Sequence, residues 1–212
     1  MTPFHVVLPA VLLIATAVAG EPNCLVSADL DDGIRVTFAN SDWTEIRRID
    51  GELFDIHEYY ANLGYGHRYL AHQGAIPQQG FWNYRADQLS EALGYRREYS
   101  VAPEKMVDLG QPGSFGPYRF KEVSGPADDS VEIMHDLTLI VSEAPPVDVA
   151  GCSYAATLVE MRIEWANPDP DNIVTWSFFL TDLGVAYLFA AKTMNGNLVS
   201  SPAVTIERLD AS

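Results

Sequence analysis

The sequence predicts an all-β protein: an antiparallel meander forming a strongly curved sheet or an incomplete barrel with one short helix. A β-sandwich is the alternative. Apolar and polar residues alternate with a period of two across 159–165, the pattern of a strand with one buried face. Turn residues such as Asn195-Gly196 separate the β-rich runs. Of the 212 residues, 48% are hydrophobic, which is typical of a folded domain.

Most of the predicted strands lie before residue 143. The clearest is 34–38, in which three apolar residues alternate with polar ones. The turn Asp50-Gly51 joins two runs into a hairpin. Because Pro77 has no backbone N–H, we expect 74–80 to be a loop or an edge strand, and we expect a loop at 110–117. The predicted strands of this part are 25–30, 34–38, 43–49, 53–60, 63–72, 95–100, 118–123 and 131–142.

The C-terminal third predicts consecutive strands. The run 159–165 is followed by a proline-containing turn at 167–172 and by a second strand at 174–178. A third strand is predicted at 183–189, and 198–209 supplies the last one. The spacing of these runs favours antiparallel neighbours joined by short turns.

Residues 87–93 form the one predicted helix of the mature chain. Asp87 is a suitable N-cap, Leu89 and Leu93 share a face, and Gly94 stands at the expected end. A helix this short is expected to pack across one end of the sheet.

The N-terminus predicts export. Residues 6–15 are an apolar run too short to span a bilayer comfortably, and Ala17-Val18-Ala19 fits a small-x-small cleavage pattern. We therefore expect a secretory signal peptide at 1–19, a single all-β domain at 20–212 and a periplasmic or extracellular location. An uncleaved N-terminal anchor is the alternative.

The chain contains only two cysteines, Cys24 and Cys152, and both follow the predicted cleavage site. An even pair in an oxidising compartment favours one disulfide over two separate buried thiols. Neither cysteine has a neighbouring histidine, so a catalytic thiol is not expected.

The charge balance argues against two classes of partner. There are 29 acidic residues against 13 basic ones, for a formal net charge of −16, and the acidic residues are spread along the chain. Nucleic acids and anionic lipid surfaces both need a basic footprint, so neither is an expected partner. No cofactor is predicted.

A calcium loop is the sharpest metal hypothesis. Asn167, Asp169 and Asp171 fall at alternate positions, as oxygen ligands do in such loops. Asn172 stands where the loop glycine belongs and Phe178 where a bidentate Glu is needed, so a stiff hairpin turn is the alternative. The histidines lack a metal-ligand spacing, and no nucleophile elbow is present. No catalytic residue is predicted.

Aromatic residues cluster between 59 and 84. Rings with one polar end suit a lined pocket or a carbohydrate platform, and they also suit ordinary packing in a sheet. The candidate ligand-binding residues are Tyr59, Tyr65, Tyr69, Trp82 and Tyr84.

In outline, the signal peptide, the meander and a helix across a concave sheet resemble the open β-barrels of periplasmic lipid carriers of the lipoprotein-chaperone type. The resemblance is one of pattern over the mature chain. It implies an exported carrier of an apolar ligand. No family motif is present, so the resemblance assigns no site residue.

Three functions are compatible with these observations. The first is an exported, non-enzymatic binding protein that holds a lipid-like or other apolar ligand on a concave sheet. The second is a cell-envelope interaction or structural protein, which requires an exposed apolar patch or sheet edge. The third is a secreted hydrolase, which requires a cleft where two of five residues converge. Those residues are His57, Glu58, His67, His72 and Asp136.

Overall fold

The structure is a computed structural model that describes residues 23–83, 94–125, 129–165, 172–192 and 198–209, without the side chains of 82 and 83. Its main feature is one antiparallel sheet of 13 strands that does not close. A separate two-stranded sheet, one four-residue helix and one 3-10 helix complete the described part. The predicted all-β fold with a large curved sheet is therefore confirmed.

The elements follow one another in a simple order. They are α1 (Asp29–Asp32), β1 (Ile34–Phe38), β2 (Trp43–Asp50), β3 (Leu53–Tyr60), β4 (Tyr65–His72), β5 (Ile76–Asn83), β6 (Gly94–Tyr99), the 3-10 helix (Pro103–Lys105), β7 (Gly113–Ser124), β8 (Val131–Glu143), β9 (Val147–Val149), β10 (Cys152–Tyr154), β11 (Ala156–Trp165), β12 (Ile173–Leu180), β13 (Val185–Lys192), β14 (Leu198–Ser200) and β15 (Ala203–Arg208). The order in the large sheet is β14-β13-β12-β11-β8-β7-β6-β5-β4-β3-β2-β1-β15. Strands β9 and β10 form the small hairpin between β8 and β11.

The last stretch of chain lies along both edges of the large sheet. Strand β14 pairs with β13, and β15 pairs with β1 at the opposite edge. The two strands are separated at Pro202, which lacks a backbone N–H and whose carbonyl accepts the Ala39 N–H at 3.0 Å. The single strand predicted at 198–209 is therefore wrong. The segment bends and forms both edge strands of the sheet, because its first half pairs with β13 and its second half pairs with β1.

The sheet curves until its two halves face each other. The turn between β4 and β5 touches β13, where the Ala186 N–H donates to the Gln73 carbonyl at 2.8 Å. Two clusters of buried apolar side chains fill the concave side. One includes residues of β1–β4 and β13, and the other includes residues of β8, β11 and the segment between β6 and β7.

Two local predictions near the start of the sheet are wrong. The strand predicted at 25–30 is not formed, because residues 25–28 are a loop and the next two residues begin α1. The Asp29 carboxylate accepts the Val26 N–H at 2.7 Å, a local bond that competes with strand pairing. Residues 74–80 were expected to be a loop or an edge, but β5 lies between β4 and β6. Pro77 is accommodated at a shift of register against β4.

The expected loop at 110–117 is also partly wrong, because β7 already begins at Gly113. Gly116 and Pro117 occur at a shift of register between Phe115 and Tyr118, so the strand bulges there without ending. The helix at 87–93 and the segment 1–19 lie outside the described residues, as does the turn 167–172 except for its last residue. Those three predictions stay predictions.

The predicted disulfide is confirmed. Cys24 and Cys152 are bonded, with their Cα atoms 5.5 Å apart. The bond attaches the start of the described chain to the β9–β10 hairpin. A second contact supports the same attachment, because the Leu25 N–H donates to the Tyr154 hydroxyl at 3.0 Å.

Candidate functional site

The concave faces of β3 and β4 change from apolar to polar along their length. On β3 the buried Ile56 is followed two positions later by Glu58, which is also buried. On β4 the sequence along the same face is Ala71, Tyr69 and His67. Since alternate residues of a strand share a face, these polar groups project to the same side as the core.

A partly open cavity of about 390 Å³ lies at the polar end of these strands. One wall comes from β3–β8 and carries most of the polar groups: Glu58, Tyr60, His67, Tyr69, Tyr95, Arg97, Glu122 and His135. The opposite wall comes from β11–β13 and is mainly apolar: Met161, Ile163, Trp165, Ile173, Thr175, Ser177, Leu188 and Ala191. Small-molecule sites have volumes of roughly 300–1,000 Å³ and a similar mixture of linings.

Glu58 is the centre of the polar wall, with only 3% of its surface exposed. Its carboxylate accepts hydrogen bonds from the Tyr60 hydroxyl at 2.6 Å and the Tyr69 hydroxyl at 2.8 Å. His67 Nδ1 lies 3.6 Å from Glu58 Oε2, and His67 Nε2 is hydrogen-bonded to the Tyr95 hydroxyl at 3.0 Å. The three partners of Glu58 therefore come from strands β3 and β4, and Tyr95 extends the network to β6.

The network keeps Glu58 ionised. Burial by itself raises the pKa of a carboxyl group, but the hydrogen bond and charge of His67 and the hydroxyls of Tyr60 and Tyr69 outweigh it, so the pKa of Glu58 is lowered. Burial, reinforced by the Glu58 charge, raises the pKa of Tyr60 and of Tyr69 well above 10.0. The two tyrosines therefore remain hydroxyl donors to a carboxylate at neutral pH.

A second ion pair lies beside this network. Arg97 Nε donates to Glu122 Oε2 at 2.9 Å, and the Ser124 hydroxyl donates to the other carboxylate oxygen at 3.1 Å. The guanidinium group also lies over the Tyr95 and Phe120 rings, 5.0 and 5.3 Å from their centroids. The charge of Arg97 is thus paired with a carboxylate, and its guanidinium group packs against aromatic rings of the polar wall.

His135 differs from every other polar group of this wall. It is 3% exposed, and neither ring nitrogen has a hydrogen-bond partner in the described part of the chain. Its ring stacks on Phe120 at 4.9 Å and meets the edge of Trp165 at 4.8 Å. Burial lowers the pKa of His135, so the imidazole is neutral at pH 7. An unpaired buried polar group costs about 1–3 kcal/mol, which a ligand or a water molecule bound in the cavity would offset.

Two hydroxyls interrupt the apolar wall. Thr175 and Ser177 occupy alternate positions on β12 and both line the cavity. Neither side chain is hydrogen-bonded to another described residue. They therefore add uncharged hydrogen-bonding groups to a surface that otherwise offers only apolar contact.

The structure places the candidate aromatic residues in different surroundings. Tyr69 lines the cavity, and its role in ligand binding stays a prediction. Tyr59 instead stacks on Trp43 at 5.4 Å and lines a smaller cavity of about 110 Å³ between β2–β3 and β13–β14. Tyr65 lies against the Tyr60 ring, with the centroids 5.4 Å apart.

The remaining candidates lie in parts of the chain that the structure does not describe. The side chain of Trp82 and the whole of Tyr84 lie outside the described residues, and so do Asn167, Asp169 and Asp171. Their proposed roles in ligand or calcium binding stay predictions. Within the described residues, no group of three or more His, Cys, Asp and Glu side chains is placed to hold a metal ion.

The five candidate hydrolase residues are only partly brought together. Glu58 and His67 converge in the cavity. His57, His72 and Asp136 do not line it. The requirement stated for a hydrolase, two of the five in one cleft, is met by this pair.

Sequence reasoning missed the polar residues contributed by β6–β8. Arg97 and Glu122 come from strands whose pairing brings them together only in the folded sheet. His135 could have been found from the sequence, because it continues the buried, otherwise apolar face of Leu137, Leu139 and Val141 on β8. A polar residue in register with a buried face indicates a polar pocket or a buried hydrogen bond.

The fold and the cavity together define an all-β protein with an amphipathic cavity between the two halves of its sheet. No protein-family model, curated protein or solved structure matches the chain. Within the described ranges, no helix is both long and apolar enough to cross a membrane.

Proposed function

We propose that this protein is an exported, non-enzymatic binding protein that holds a small lipid-like or other apolar ligand inside its curved sheet. The observation that carries the proposal is the cavity of about 390 Å³ with an apolar wall facing a polar one. Such a site can bury a hydrocarbon portion against β11–β13 and receive a polar end at β3–β8.

The apolar wall supplies the driving force. Met161, Ile163 and Leu188 line the cavity, and transferring apolar surface out of water contributes about 25 cal/mol per Å². The polar wall supplies orientation, because its hydrogen-bonding groups come from paired strands and are held by neighbouring side chains. A rigid site of this kind loses little conformational freedom on binding.

The disulfide is compatible with export. Cys24–Cys152 is the kind of long-range bond that persists in an oxidising compartment. Residues 1–19 remain the predicted signal peptide, so the proposed location is the periplasm or the exterior of the cell.

Native mass spectrometry of protein exported into an oxidising compartment tests the proposal. We expect a retained apolar adduct, and saturable binding of the uncharged dye Nile red once the adduct is removed. Thr175→Phe should weaken dye binding at least about tenfold by filling the cavity. Val174→Phe is the matched control, because Val174 does not line the cavity and its side chain points to the opposite face of β12. Absence of both adduct and dye binding, or equal loss in the two variants, would contradict the proposal.

The cell-envelope alternative is favoured by one feature, the edge strand β14. Leu198 and Val199 are 63% and 54% exposed there. Exposed apolar residues on a sheet edge suit strand addition by a partner. β14 spans only three residues, which offers little backbone for pairing, so the cavity is the better-supported site.

The hydrolase alternative is favoured by the Glu58–His67 pair. A carboxylate next to an imidazole is an arrangement used in general-base catalysis. His67 Nε2 is already bonded to the Tyr95 hydroxyl, and burial raises the pKa of Tyr95, which is opposite to the activation of a nucleophile. Ester hydrolysis abolished by His67→Ala would favour an enzyme over a binding protein.

A further inference from the structure

We infer that the ligand of this cavity carries an uncharged hydrogen-bonding head group, such as a hydroxyl or an amide, on its apolar body. This inference rests on the proposed binding function and narrows it to one chemical class. Some polar groups of the cavity already have hydrogen-bond or ion-pair partners in the protein, and others do not.

Every charged group that lines the cavity is satisfied within the protein. The Glu58 carboxylate is held by Tyr60 and Tyr69, with His67 beside it. The Arg97 guanidinium group and the Glu122 carboxylate are bonded to each other. A charged head group entering the cavity would have to break one of these pairs or lie unpaired, and both are costly away from water.

The groups that lack a partner among the described residues are uncharged. They are the neutral imidazole of His135 and the hydroxyls of Thr175 and Ser177. A neutral imidazole has one donor and one acceptor, and a hydroxyl can act as either. A hydroxyl or amide head group matches these groups because it also donates and accepts.

Contacts within the protein reduce the ring surface that a quaternary ammonium group could use at Tyr69 and Tyr95. The Tyr69 ring stacks on His67, with centroids 4.5 Å apart. One face of Tyr95 is covered by Arg97 at 5.0 Å. Cation–π binding needs free ring faces, and the protein's own side chains occupy one face of each of these two rings.

The overall charge opposes an anionic ligand. The lining contains two carboxylates, Glu58 and Glu122, against one guanidinium group, Arg97. The whole chain carries a formal net charge of −16. A fatty-acid carboxylate would therefore be repelled by the protein as a whole, and inside the cavity both cationic groups, Arg97 and His67, already lie beside a carboxylate of the protein.

A head-group series tests the inference while holding the apolar chain constant. Decanol, decanoate and decyltrimethylammonium would each be titrated at pH 7 against bound Nile red, using full-length mature protein with its disulfide intact. We expect decanol to bind at least about tenfold more tightly than either charged ligand. His135→Phe keeps a planar ring but removes its hydrogen-bonding groups, and it should reduce the advantage of decanol.

A second variant tests whether the Arg97–Glu122 ion pair is the reason that decanol binds more tightly than decanoate. Glu122→Gln leaves Arg97 without its carboxylate, so decanoate should gain affinity relative to decanol. Glu164→Gln is the matched control, because Glu164 is exposed and does not line the cavity. An unchanged ratio in Glu122→Gln would overturn the pairing argument.

The outcomes separate the inference from the function on which it rests. Tightest binding of decanoate or of decyltrimethylammonium would overturn the inference and leave the binding function standing. The same holds if Nile red binds but none of the three ligands displaces it. If Nile red does not bind either, the proposed function fails as well.

Discussion

At the scale of single residues, Glu58 is the side chain on which the cavity depends most. It is buried, and its carboxylate joins Tyr60, Tyr69 and His67 on the paired strands β3 and β4. A buried carboxylate is tolerated only where such donors surround it. The pair of tyrosines therefore stabilises the sheet and shapes the polar wall at the same time.

We expect Glu58→Gln to lower the free energy of unfolding by about 2–3 kcal/mol at pH 7, because hydrogen bonds to a charged group are exchanged for poorer ones. Glu164→Gln should change it by less than about 0.5 kcal/mol, since Glu164 is exposed. Urea denaturation of the three proteins gives the comparison. A loss in Glu58→Gln no larger than in Glu164→Gln would show that the carboxylate contributes nothing to stability.

The difference in the free energy of unfolding between wild type and Glu58→Gln should depend on pH. The pKa of Glu58 is lower in the folded protein than its ordinary value of 4.5. The stability it contributes is therefore fully present above pH 4.5 and is lost as the pH falls through the folded-state value. The difference in stability between wild type and Glu58→Gln should shrink on acidification. A difference that grows below pH 4.5 would mean that the shift has the opposite sign.

The sequence predicted part of this site and missed the rest for a physical reason. Alternation with a period of two correctly placed His67 and Tyr69 on one face of β4. The partners Arg97 and Glu122 lie on strands joined through a long intervening segment, and no local pattern records which strands will be neighbours. Which residues share a face can be read from the sequence of one strand. The position of a cavity depends on which strands pair and on how the sheet curves.

At the scale of elements, the turn between β4 and β5 sets how closely the two halves of the sheet approach. Gly74 has a φ of +74°, and a Cβ at this position would overlap the Ala186 carbonyl oxygen of β13. Gly51 also has a positive φ, +52°, but nothing lies within 4 Å of the place its Cβ would take. The two glycines therefore differ mainly in the close approach of another strand.

This difference makes Gly74→Ala and Gly51→Ala a matched pair. Gly51→Ala should cost about 1 kcal/mol, the strain of a left-handed conformation alone. Gly74→Ala should cost about 2 kcal/mol more, because the Cβ forces β13 away from the turn. Denaturation midpoints of both variants give the measurement. Equal costs would mean that the turn and β13 separate without penalty.

Sequence reasoning at this scale succeeded where pairing is sequential and failed where it is not. The runs that became β11, β12 and β13 alternate clearly and pair with their chain neighbours, so both pattern and order were predictable. The final run also reads as one strand. It divides at Pro202 because its halves pair with β13 and β1, and those two edges lie far apart in the chain.

At the scale of the whole molecule, the disulfide joins parts of the chain that are 128 residues apart. It fastens the segment preceding α1 to the small β9–β10 hairpin. Noncovalent contacts act in parallel, since Arg208 binds the Asp29 carboxylate at 2.6 and 3.0 Å and Leu25 is bonded to Tyr154. The cavity lies elsewhere, between β3–β8 and β11–β13, and neither cysteine lines it.

Removing the bond should therefore weaken the fold more than the site. Replacing Cys24 and Cys152 together with alanine should lower the free energy of unfolding by about 3–5 kcal/mol, because a long loop is released in the unfolded chain. Nile red affinity of the folded fraction should stay within about twofold of wild type, since no wall of the cavity is altered. Reduction of the wild-type protein provides the control and should reproduce the same loss. A loss below about 1 kcal/mol would show that the noncovalent contacts around Asp29 and Tyr154 already fix the N-terminal segment. A large loss of dye affinity would instead show that the hairpin and the cavity walls are mechanically coupled through the curved sheet.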